Sequence, residues 1–150
     1  MTYAKFHQQL LIGILSLSLP VFAAEPFDVR QRPAIDMPPP AGLVLRGEMV
    51  DLLGTMRQVF ALTSEGKYNE AADLAERLMG RTAMGSHGGN FRPGMFMPPE
   101  MRALAQLLHQ NASDWSLALR TGDRQRADTA FAQVLGTCAG CHQSFQLRRP

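Results

Sequence analysis

Cys138, Ala139, Gly140, Cys141 and His142 are the residues whose types and spacing point to chemistry. Two thiols, two small residues between them and a histidine directly after form a C-x-x-C-H motif, the attachment pattern of a c-type haem. The thiols form thioethers with the two vinyl groups of a porphyrin, and the adjacent imidazole reaches the iron as proximal ligand. Two intervening residues on a turned or helical backbone match the vinyl separation, and Ala139 and Gly140 let a flat ring approach closely. Other chemistries fit less well. A dithiol redox pair opens a helix within a βαβ pattern, and none is visible. A zinc site would need His142 and a distant fourth ligand, because the chain has only 2 cysteines. In an exported chain the pair also fits a plain disulfide.

The elements around the motif begin with an export signal. Lys5 and the amino terminus are positive, residues 10–19 are apolar, Pro20 breaks the run, and Val21-Phe22-Ala23 offers small residues to a signal peptidase. The apolar run is too short to span a bilayer comfortably. The expectation is a signal peptide over 1–23, cleavage after Ala23, and a soluble periplasmic chain. That compartment agrees with the motif, since c-type haem is attached beyond the bacterial inner membrane. Residues 24–40 hold Pro26, Pro33, Pro38, Pro39 and Pro40 and read as an extended arm over the remaining domain.

Residues 41–150 show helical periods and no strand alternation. Leu45, Met49, Leu52, Leu53, Met56 and Phe60 form one face of a first helix over 41–63, with Gly66 as its stop. Tyr68, Ala71, Ala75 and Leu78 mark a second helix over 68–79. Residues 81–97 form a glycine-rich loop that contains His87, Met95 and Met97. A third helix starts at Pro98 or Pro99 and runs on Met101, Leu104, Leu108, Ala112, Trp115 and Leu119, with His109 at the edge of that face. Asp123 caps a fourth helix, whose apolar face passes through Phe131, Val134, Leu135, Cys138, Cys141, His142 and Phe145. The expected fold class is all-α: an antiparallel up-down-up-down four-helix bundle with a covalently bound haem between its helices.

Composition narrows the function. The 15 basic and 13 acidic residues nearly balance, and no basic cluster is interleaved with aromatics, which argues against a nucleic-acid partner. Nothing suggests a catalytic acid, base or nucleophile, so no enzyme is expected. Methionine is frequent, with 9 residues, and serves either as flexible filler or as an iron ligand.

With the motif near the C-terminus of a helical chain, the sequence resembles the cytochrome c′ family, the class II c-type cytochromes. The likeness runs through residues 138–142, Phe145 three positions on, Gly122-Asp123, Ala130-Phe131 and Val134, and Arg46, Met49, Gly54 and Met56 of the first helix. Gln146 stands where the family has a basic residue, with Arg148 and Arg149 further on. The resemblance implies one haem c held by Cys138 and Cys141, with His142 as proximal ligand and Phe145 and Arg46 around the ring. Met49 falls at the family's distal position. Met49 bound to the iron implies a one-electron carrier serving redox partners of the periplasm or inner membrane. An open sixth position implies a five-coordinate haem that binds NO or CO. A non-haem bundle with a structural disulfide is a third reading. Family members are often homodimers, and the pattern here leaves that open.

Overall fold

This computed structural model describes residues 28, 31–85 and 92–148. The expected signal peptide, Arg149 and His87 lie outside the described residues. The order is β1 (Ala34–Ile35), α1 (Pro39–Ser64), α2 (Tyr68–Met79), α3 (Pro99–Arg120), α4 (Arg124–Ser144) and β2 (Gln146–Leu147), with short 3₁₀ turns at Arg81–Ala83 and Pro93–Met95. The chain is all-α in its bulk. Among the described residues, no helix is long and apolar enough to cross a membrane.

The helix limits follow from local chemistry. α1 begins two residues before the expected position, because Pro39 and Pro40 fit a first turn whose N–H groups have no helical partner. It ends at Ser64, and Gly66 follows with a φ of 75°, the left-handed conformation that closes a helix. Asp123 caps α4 as expected: its Oδ1 accepts the Arg126 backbone N–H at 3.1 Å. α2 ends at Gly80, where close approach forbids a side chain, since a Cβ there would sit 2.7 Å from the Glu76 carbonyl oxygen.

Each helix packs on the next one in the chain, α1 on α2, α2 on α3 and α3 on α4. Ala71, Ala72 and Ala75 of α2 are fully buried, which lets its neighbours come close. Ser116 Oγ donates to the Ala72 carbonyl at 2.8 Å, and Asn111 Nδ2 donates to Thr137 Oγ1 at 2.8 Å, so α3 is tied to both α2 and α4. α1 and α4 lack backbone packing of comparable extent. They meet through rings instead, with Phe60 and Phe131 edge to face at 4.7 Å and Trp115 4.8 Å from Phe131.

Two expectations need correction. The α1 face read in sequence holds at Leu45 and Met56 but not at two flanking positions: Val59 is 0 % exposed, whereas Leu53 is 66 % and Phe60 42 % exposed. Met56 and Val59 share a buried cluster with Ala71, Ala72 and Ala75 of α2, and Phe60 rests its partly exposed ring on Trp115 and Phe131. On α4, Leu135 is likewise 45 % exposed. The second concerns strands, of which none is expected from the sequence: within the arm, β1 pairs in parallel with β2, Ala34 opposite Gln146 and Ile35 opposite Leu147. Two-residue strands are too short to show alternation, so sequence reading passed over them.

Candidate cofactor site

The buried side chains fall into two clusters rather than one. The larger contains Met56, Val59, Met79, Leu108, Trp115, Leu119 and Val134. The smaller contains Leu45, Met97 and Met101, with Ile35, Met37, Met49, Ala105, Cys141, Phe145 and Leu147 packed at its edge. A cavity of about 1180 Å³ has walls drawn from both, along α1, α3 and α4. That exceeds the roughly 300–1,000 Å³ typical of small-molecule pockets.

The motif borders this cavity. It sits in the last turns of α4, as its period predicts, and Cys138, Cys141 and His142 all line the wall. Cys138 packs against the larger cluster and Cys141 against the smaller one, so the two thiols straddle the division. Both cysteines are free and half-buried. Burial pushes the Cys138 thiol up, and it pushes Cys141 up with a further contribution from the charge of Cys138. Neutral thiols suit poorly the thiolate chemistry of a dithiol redox pair. His142 is exposed along the cavity wall rather than turned into the packed core.

The remaining expected residues gather at the same place. Met49 is half-buried on the cavity wall within the smaller cluster. Arg46 is exposed and borders the cavity, although its position in sequence lay off the apolar face. Phe145 is half-buried at the end of α4, where its backbone N–H bonds the Cys141 carbonyl. Met56 lines the cavity too but packs with the Trp115 cluster.

Sequence reading missed three residues. Met97 and Met101 share the smaller cluster with Met49, which makes 6 methionines on the walls: Met49, Met56, Met84, Met95, Met97 and Met101. The signal available was the crowding of four methionines into positions 84–101. Arg32 of the arm also borders the cavity and donates to the His142 carbonyl, a contact no sequence pattern announces. His109 is a tie, in agreement with its edge position: its Nδ1 lies 2.8 Å from the Met79 carbonyl oxygen and so holds α3 to the end of α2. Among the described residues, no three His, Cys, Asp or Glu side chains gather as a metal-ligand group. No family model, curated protein or solved structure matches the chain.

Proposed function

We propose that this chain is a periplasmic c-type cytochrome of the cytochrome c′ kind. In this reading it is an up-down-up-down antiparallel bundle that carries one covalent haem and moves single electrons between periplasmic or inner-membrane partners. The observation that supports it is the bordering of a core-dividing cavity by the C-A-G-C-H motif, with one cysteine against each half of the core. The residues present suit a haem: the cavity is large and mostly apolar, one histidine adjoins two thiols, and methionines line the same walls. When bound, the haem supplies a one-electron Fe(III)/Fe(II) couple.

The chain's own residues do the rest. The Cys138 and Cys141 thiols would hold the haem as thioethers, and the His142 imidazole would ligate its iron. Leu45, Leu52, Met101 and Phe145 exclude water and keep the surroundings apolar, which favours the less charged ferrous state. Arg46 at the rim offers a cation to a carboxylate of the bound group. The Met49 thioether would be a second protein ligand to the iron and would thereby raise the potential. Met49 is also packed among apolar neighbours, which favours a second reading in which it only covers an open sixth position and NO or CO binds there.

The test is covalent haem. Protein made with a haem-attachment system, run on a denaturing gel and stained for haem, is expected to give a stained band. Cys138→Ala with Cys141→Ala is expected to remove all of it. A stained band in the double variant overturns attachment through this motif.

A further inference from the structure

The end of α4 is covered by a segment that precedes the bundle. Backbone N–H groups of Gln146 and Arg148 donate to the carbonyls of Pro33 and Ile35, each at 3.1 Å. Gln146 Nε2 donates to the Arg32 carbonyl at 2.6 Å, and the Arg148 guanidinium pairs with the Asp36 carboxylate. Ile35 and Met37 pack into the same cluster as Met49, Cys141 and Phe145. Within this clasp the Arg32 guanidinium donates to the His142 carbonyl. Carbonyls in the last turn of a helix have no partner inside the helix, so Arg32 supplies one that α4 cannot. It does so at the very residue whose side chain is the candidate iron ligand, and Arg32 borders the cavity as well.

We propose that Arg32 is a positioning residue of the cofactor site, fixing the backbone of His142 and holding a permanent positive charge on the proximal side of the cavity. This rests on the haem reading above. Two effects follow. Anchoring the carbonyl stiffens the last turn of α4, so the imidazole of His142 holds one orientation. The guanidinium stays charged throughout the pH range of a folded protein. A fixed positive charge beside a redox centre favours the state that has gained an electron. Removing it therefore lowers the reduction potential.

The experiment uses holo protein and reads midpoint potential by spectroelectrochemistry, with haem staining and far-ultraviolet circular dichroism as controls. Arg32→Gln is expected to keep stained haem and helical signal while shifting the reduction equilibrium about threefold toward the oxidised form, about 28 mV. Arg32→Lys, which keeps the charge, is expected to recover most of that shift. Where Arg32→Gln yields no helical protein, Gln146→Ala serves instead. It changes no charge, releases the Arg32 carbonyl, and is expected to shift the potential the same way by less. An unchanged potential in a haem-loaded, helical Arg32→Gln or Gln146→Ala protein overturns the proposal and leaves the haem reading standing. An equal fall in Arg32→Lys overturns it too, since charge would not be the cause. A wild-type chain that takes up no haem overturns both.

Discussion

Met49 and Met56 lie seven positions apart on α1 and line one cavity, but they belong to different halves of the core. Met49 packs with Cys141 and Phe145, and Met56 packs with Trp115 and Val134. Seven residues of helix separate them by about 10.5 Å along the axis, so one iron cannot be reached by both. Met49→Ala is expected to turn a low-spin visible spectrum high-spin and to speed carbon monoxide binding, with little further change. Met56→Ala is expected to leave the spectrum intact and to lower stability by about 2–4 kcal/mol, the ordinary result of emptying a buried methionine site. A wild-type ferrous spectrum that is already high-spin favours the gas-binding reading. At this scale the sequence was informative where chemistry is local: adjacent Cys, Cys and His announce themselves. It was silent on Arg32, Met97 and Met101, whose part in the site comes from the packing of distant segments.

The corner between α2 and α3 shows how an element is held. Arg81 N–H donates to Ser113 Oγ at 2.9 Å, Thr82 N–H donates to Glu76 Oε1 at 3.2 Å, and Thr82 Oγ1 donates to the Glu76 carbonyl at 2.8 Å. Partial burial pushes the Glu76 carboxyl up, but hydrogen bonds from Ser113 and Thr82 and the charge of Arg81 outweigh it and hold the group below its ordinary 4.5. The folded form therefore favours the carboxylate. Its contribution is complete above about pH 4.5 and drains away as pH falls through the lower folded value. Glu76→Gln is expected to flatten the acid limb of stability measured by denaturant titration from pH 6 to pH 3. The loss at neutral pH is expected to stay at about 1 kcal/mol, because the group is only partly buried and solvent still screens it. Helix limits were legible because their signals are local, such as Gly66 and Asp123. The burial of Val59 in place of Phe60 was not, because the two are apolar neighbours and only the packing of the other helices decides which is buried.

For the molecule as a whole, the division of the core governs cooperativity. Two apolar clusters flank a cavity, and side-chain burial makes a continuous core only where something fills the gap. The chain lacking both cysteines is expected to stay helical by circular dichroism but to melt over a broad range, with dye-accessible apolar surface. Haem-loaded wild type is expected to melt sharply. A sharp transition in the cysteine-free chain favours a bundle that does not depend on its cofactor. The helical class was legible from period alone. The pairing of arm with C-terminus was not, since it joins two strands of two residues each.

That pairing also fixes an order of events. Arg32 and Gln146 are 114 positions apart, so the clasp closes a loop around the whole domain. Loop closure costs grow only slowly with length, but two short strands return little until the helices have already brought the ends together. In a chain that emerges amino end first, the arm is made early and its partner is made only after the four helices. Cys138 and Cys141 therefore pass through an interval in which the arm is not yet seated over the end of α4. The clasp is therefore expected to close last and, being held by two-residue strands near the surface, to open first.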